Sequence, residues 1–253
     1  MSQRPLLIEF MGLPGAGKTT LAQFVLEELT AAGYRCFALN RLDEPEPIEK
    51  RKGGLTSKLR TAGGVLVSTL RYRLIAGSAW AYTRQIRPFN LNSFRRYFVL
   101  LTRLDLLRRL MRGPYDILLL DQGLLQSIWS LSATGEPPRD DCQLETLLQA
   151  IHAELSPLIV GVHVGADLAV ERVTTRPTRR SRFDTIPASQ ASSLLRRQKD
   201  VISRILSLSA GLQEASCLDV NGSRPPDQNV RLIVPFIQKA RPVVHRMTQV
   251  TTG

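Results

Sequence analysis

Residues 6–20 read LLIEFMGLPGAGKTT. Leu6-Leu-Ile-Glu-Phe10 is a short, mostly apolar run that ends at a glycine- and proline-bearing turn, the pattern of a buried strand. Beyond the turn, Leu21, Phe24, Val25 and Leu29 mark one face of a helix predicted over Thr19–Leu29, and Gly33 suits its end because glycine tolerates the left-handed conformation. Between strand and helix, Gly12-Leu-Pro-Gly-Ala-Gly-Lys18-Thr19 satisfies the pattern G-x-x-x-x-G-K-[ST].

The spacing has a physical reason. Glycines let the backbone curl so that successive N–H groups converge on an anion, and the following helix adds the positive end of its dipole. The pattern therefore predicts a triphosphate site. Gly12, Pro14, Gly15, Ala16, Gly17, Lys18, Thr19 and Thr20 are the candidate ATP contacts, with Lys18 on the β- and γ-phosphates and the Thr19 hydroxyl on Mg²⁺.

The rest of the chain alternates strands and helices. Strands are expected at Arg35–Leu39, Asp116–Asp121, Leu158–Val164 and Ser216–Val220. Helices are expected around Leu144–Leu155 and Leu194–Leu206 and over Asn229–Lys239. Such alternation implies an α/β fold of the P-loop NTPase kind, a five-stranded parallel sheet with helices on both faces and its ligands at the carboxyl ends of the strands. Asp121 ends a buried apolar strand there, and is a candidate to hold Mg²⁺ through water or to accept a proton.

Residues 49–112 have a different character. No acidic residue lies between Glu49 and Asp105, an interval that holds twelve lysines and arginines from Lys50 to Arg103. The segment reads as a basic helical insertion into a core formed by residues 1–48 and 113–240, followed by a tail at 241–253. Asn92 and Ser93 are candidate caps for a helix with Tyr97, Leu100, Leu101, Leu104, Leu107 and Met111 on its apolar face, stopped by Gly113-Pro114. Charge of one sign attracts anions, so the insertion is the expected acceptor-binding region. Trp80, Tyr82, Tyr72 and Phe89 are candidates to stack on a ring, or simply core.

Composition bounds the alternatives. The 253 residues are 43% hydrophobic, with formal net charge +12. Gly63 to Tyr82 is the nearest approach to a membrane span, but Arg71 and Arg73 interrupt it. Cys36, Cys142 and Cys217 lie far apart without metal-ligand spacing, which points to reduced thiols and a cytoplasmic location. His163 is expected to be buried in its strand, with His152 and His245 at the surface. There is no N-K-x-D run of the kind that reads guanine in GTPases.

Four further stretches resemble the thymidylate kinase and nucleoside monophosphate kinase group. They are Arg41-Leu-Asp43-Glu44-Pro45 after the second strand, and Asp121-Gln122-Gly123 with Ser127 after the third. Asp167, Glu171-Arg172, Arg176, Arg179, Arg180, Arg182, Phe183 and Asp184 follow the fourth, and Asp219-Val-Asn-Gly222 leads into Pro225-Pro226-Asp227. The resemblance covers residues 5–48 and 114–238 and implies an ATP-dependent kinase with a lid at 172–186, the last loop near adenine, and a homodimer. It makes Arg176, Arg180 and Arg172 the candidates to neutralise the transferring phosphoryl, and Asp43, Glu44, Gln122 and Ser127 the candidate acceptor contacts. Where the group grips its acceptor's phosphate with an arginine followed by an aromatic, this chain has Gln122 and Gly123. A nucleoside monophosphate acceptor then requires arginines from the insertion to take over. The expected function is a kinase for a small anionic acceptor; a nucleic-acid-binding or membrane-surface ATPase ranks behind it.

Overall fold

The computed structural model describes residues 4–39, 55–132, 136–138, 140–175, 188–212 and 216–241, with side chains from residue 63 onward in the second span and from residue 192 in the fifth. Its strands are β1 (Leu6–Gly12), β2 (Cys36–Leu39), β3 (Ile117–Leu120), β4 (Leu158–His163) and β5 (Cys217–Asn221). Around them stand nine helices among the described residues: α1 (Lys18–Ala31), α2 (Leu55–Arg71), α3 (Arg73–Gln85), α4 (Leu91–Leu110), α5 (Leu124–Ser132), α6 (Cys142–Leu155), α7 (Ala166–Thr174), α8 (Ala188–Leu212) and α9 (Pro226–Ala240). The fold is α/β. All four strand pairings are parallel, in the order β2-β3-β1-β4-β5.

β1 lies at the centre, with Ile8 opposite Leu119 on one side and Leu158 on the other. The fully buried runs of β3 and β4 are apolar without alternation, as strands covered on both faces must be. Helices α1 and α9 pack on each other and on the sheet, while α5 and α8 do the same separately. The chain leaves β1 for the α1 layer and β3 for the α5 layer. Because β1 and β3 are neighbours, their carboxyl ends flank the point where the crossovers diverge, the place where open α/β sheets bind ligands.

Several expectations shift in detail. Phe24, assigned to the buried face of α1, is 45% exposed, since Leu21, Ala22, Val25 and Leu29 already fill that interface. The cap of α4 is Asn90, whose side chain accepts from the N–H groups of Asn92 and Ser93, while Ser93 supplies the reciprocal half of a capping box. His152 is buried on α6, and His163, at the end of β4, is half-exposed and in contact with Asp219 at 2.7 Å.

The described part of the insertion is three helices whose buried face, including Ile75, Tyr82, Leu100 and Leu104, belongs to the same hydrophobic core as the sheet. Helix α3 packs on α6, and α4 on both α2 and α5. Asp105 joins α2 to α4: it accepts from Ser68 Oγ at 2.9 Å, from Arg108 Nη2 at 2.9 Å and from Arg109. Desolvation pushes its carboxyl up, but Arg109, Arg108 and Ser68 outweigh this and hold it below its ordinary value.

Glu9 interrupts the apolar β1 for a structural reason. It is 1% exposed, and its Oε1 accepts the Gln126 N–H at 2.9 Å, with the N–H groups of Leu124 and Leu125 also against the carboxylate. A side chain from the central strand thus serves the otherwise unbonded first turn of α5. Burial pushes its carboxyl from 4.5 up to about 7, against the opposing pull of the Gln126 N–H, Arg103 and the two other N–H groups.

The unfolded chain ionises Glu9 near 4.5 and the folded chain near 7, so between these values unfolding releases a proton. Stability should therefore fall as pH rises through this window, by about 3 kcal/mol in total from this group, and level off above it. Urea unfolding of wild type and Glu9→Gln at a series of pH values isolates the term. The difference between the two proteins should shrink or reverse from pH 5 to 7; a constant difference would mean that Glu9 is ionised throughout.

Candidate functional site

The β1–α1 connection is a tight glycine loop. Gly15 and Gly17 adopt φ of +86° and +93°, the left-handed region that side chains disfavour. Space enforces glycine as well: a Cβ at Gly15 would lie 2.6 Å from the Ala169 carbonyl oxygen on α7, and one at Gly12 would lie 2.3 Å from that of Val162 on β4. Gly17 is the N-cap of α1 and gives no side-chain bond to the helix, and no acidic residue stands in the first turn, an arrangement of a helix start that suits an anion.

Lys18 is 8% exposed and folds back over the loop, donating from Nζ to Gly12 O at 2.8 Å and Leu13 O at 2.9 Å. Thr19 Oγ1 donates to Asp121 Oδ2 at 2.6 Å, joining the loop after β1 to the end of β3. Asp121 is 1% exposed, and its other oxygen, Oδ1, has no hydrogen-bond partner among the described residues. A buried acceptor left unsatisfied costs about 1–3 kcal/mol, so this atom is built to meet something. A threonine hydroxyl beside a carboxylate is an all-oxygen set that fits Mg²⁺, with water and phosphate oxygens completing the shell. Among the described residues, no group of three or more His, Cys, Asp or Glu could hold a metal ion by protein side chains alone.

Arg172 reaches the loop from α7. Its Nη1 donates to Gly222 O at 2.9 Å and to Gly15 O at 3.4 Å, tying the β5–α9 turn to the glycine loop. Gly222 sits so close that a Cβ there would be 2.4 Å from Ala16 O. The structure therefore gives Arg172 a strap between two backbone carbonyls. Pro14 and Ala16 complete the loop, Ala16 N–H donating to Leu13 O at 3.1 Å, and Thr20 is exposed on the first turn of α1. Asp43, Glu44, Arg176 and Arg180 lie outside the described residues.

On the β3–α5 side, Gln122 is half-buried and Ser127 is buried, its hydroxyl donating to Gly123 O at 2.8 Å. Two residues that sequence reasoning did not single out meet here. A Cβ at Gly123 would lie 2.3 Å from the Glu9 carboxyl carbon, so the acid beneath dictates the glycine above. Arg103, from α4 of the insertion, donates from Nη1 to Gly123 O at 3.0 Å and to Ser127 Oγ, and its charge acts on Glu9. The signal for Glu9 was a lone charge in an apolar strand. For Arg103 it was an arginine beside the buried Leu100, Leu104 and Leu107.

Tyr72 and Tyr82 are core residues. Trp80 packs edge-on against Phe89 and Phe94 with centroids 5.9 and 6.3 Å away, and tilted against Tyr97 at 5.2 Å. Its neighbours are thus other rings of the insertion.

No protein-family model matches the chain, and no curated protein matches it in sequence.

The strap makes a prediction for the ligand-free protein. Arg172→Ala removes donors from Gly222 O and Gly15 O and should lower stability by about 1–3 kcal/mol in urea unfolding without nucleotide. An arginine that acts only on a transferring phosphoryl would leave that stability unchanged.

Proposed function

We propose that the chain is a P-loop, MgATP-dependent phosphotransferase that moves the γ-phosphate of ATP to a small anionic acceptor. The observation that carries this reading is the convergence of Lys18, Thr19 and Asp121 at the divergence point of a parallel sheet, with the Lys18 ammonium held on the loop's own carbonyls. Phosphoryl transfer asks little covalent chemistry of a protein; positioning and charge neutralisation supply most of the rate. The loop offers backbone N–H groups and the start of α1 for the phosphates. Lys18 is already desolvated, so its charge acts more strongly on a phosphate than it would in water. Thr19 and Asp121 would hold Mg²⁺, which shields the phosphate oxygens when bound.

The acceptor side falls to the β3–α5 turn. Asp121 is a buried carboxylate at this turn that could take a proton from an acceptor hydroxyl, and Gln122 lies next to it. Arg103 brings a guanidinium from the insertion to the turn where thymidylate-type kinases carry an arginine of their own, and this supports an acceptor with a phosphate or carboxylate. A nucleoside monophosphate is one acceptor of that class.

Release of ADP from MgATP, measured against a panel of nucleotides, sugar phosphates and other anionic metabolites, tests the proposal. One acceptor class should raise the rate well above the solvent background. With it, Lys18→Ala should lose a factor of roughly 10² or more, because a charge contact that strengthens in the transition state is removed. A Lys18→Ala protein that turns over at the wild-type rate would sink the assignment.

A further inference from the structure

The surface of the insertion has a composition unlike the rest of the molecule. Residues 50–112 contain one acidic residue, Asp105, and it is buried against Ser68, Arg108 and Arg109. The segment therefore presents arginines to solvent, among them the exposed Arg71, Arg73, Arg84 and Arg87, without carboxylates of its own between them. Of the ten large hydrophobic side chains that stand exposed among the described residues, eight fall between Leu66 and Val99. Exposed apolar side chains scattered singly need no explanation, but this many within one segment of the chain do.

Their spacing is ordered. Leu66, Leu70 and Leu74 follow one another four residues apart, 61%, 68% and 57% exposed, with the half-exposed Val67 on the same flank. They form a stripe that runs down α2 and into α3, while Val65, Ser68, Tyr72 and Ile75 point into the protein. The stripe is thus a second apolar face, separate from the one that joins the core. Ser68 bonds Asp105, and Tyr97 Oη donates to Ala76 O at 3.2 Å, so α2 and α3 run antiparallel to α4 as a hairpin. Phe89, Leu91 and Phe94 stand exposed at its tip, Leu91 at 82%.

The occupant of this face must satisfy leucines and arginines together. A second copy of the chain would set Arg71 and Arg73 against arginines of the same hairpin. A nucleic acid would pair with the arginines and leave the leucines in water. An anionic bilayer meets both demands: apolar side chains enter the acyl boundary, and arginine stems lie along it with their guanidinium groups at the lipid phosphates. Among the described residues no helix is long and apolar enough to cross a membrane, so the contact is superficial.

We propose that the α2–α4 hairpin docks the protein on the surface of an anionic lipid bilayer, through the Leu66–Leu70–Leu74 stripe and the arginines beside it. This inference stands apart from the kinase reading, since it concerns binding in the absence of nucleotide.

Flotation of the full chain, without ATP, on phosphatidylcholine vesicles with and without phosphatidylglycerol tests it. The protein should float with the anionic vesicles and not the neutral ones, less so at high salt. Leu66→Ser/Leu70→Ser/Leu74→Ser should weaken this at least tenfold, and Arg71→Gln/Arg73→Gln roughly tenfold. Thermal unfolding checks that the variants fold; if the triple variant does not, Leu70→Ser alone should still weaken binding severalfold. Failure to float on anionic vesicles would overturn the proposal, as would serine variants that float like wild type. So would a dimer in sedimentation velocity that the serine substitutions dissociate, or duplex DNA that displaces the vesicles and binds the serine variants undiminished.

Discussion

The hydrogen bond from Thr19 Oγ1 to Asp121 Oδ2 joins residues 102 positions apart in sequence. It is possible because β1 and β3 are neighbours in a parallel sheet and end at the same edge. One strand delivers the glycine loop and the other delivers the carboxylate, and the two following helices depart to opposite layers, which leaves the space between them open to a ligand. Every other feature of the site is arranged around this junction. Lys18 precedes Thr19 by one residue on α1, α7 presses on Gly15, and Gly222 closes against Ala16. Among the described residues Asp121 retains one buried oxygen without a hydrogen-bond partner, and an oxygen-seeking cation could satisfy such an atom.

Much of this was legible in the residues because the physics is local. A buried strand, a turn that needs left-handed glycines and a helix start without an acidic first turn are all written within residues 6–31. The strands of the sheet declare themselves by apolar runs, and their ends differ from expectation by no more than two residues. Helix α5 did not declare itself. All of its residues but Ser130 are buried, so it has no polar face to set a period, and its first turn is served by Glu9 from a strand far away in sequence. That contact is tertiary, and no reading of local pattern contains it. The same holds for Arg172, whose place among lid arginines suggested chemistry but whose partners are backbone carbonyls on two other loops.

Glu9, Gly123 and Arg103 show how one packing choice propagates. A carboxylate in the central strand fills the volume above which a Cβ would sit, and that fixes glycine in the turn after β3. Arg103 reaches that turn from α4, so the insertion is coupled to the core by charge as well as by shared apolar surface. Its other arginines divide in role. Arg108 and Arg109 neutralise Asp105 inside the hairpin, Arg96 bonds Ser130 O on α5, and Arg71 and Arg73 face water beside exposed leucines. The insertion's arginines are thus spread over an internal scaffold, a site wall and an outer surface.

The proposed function requires the Gly12–Thr19 loop to grip a triphosphate, with the Lys18 ammonium moving from protein carbonyls to phosphate oxygens. A crystal structure of the chain with Mg²⁺ and a non-hydrolysable ATP analogue tests it most directly. Density for the triphosphate is expected within the loop, with Lys18 Nζ released from Gly12 O and Leu13 O and the metal beside Thr19 Oγ1 and Asp121. A loop without nucleotide at saturating analogue, with Lys18 still bonded to those two carbonyls, would contradict it.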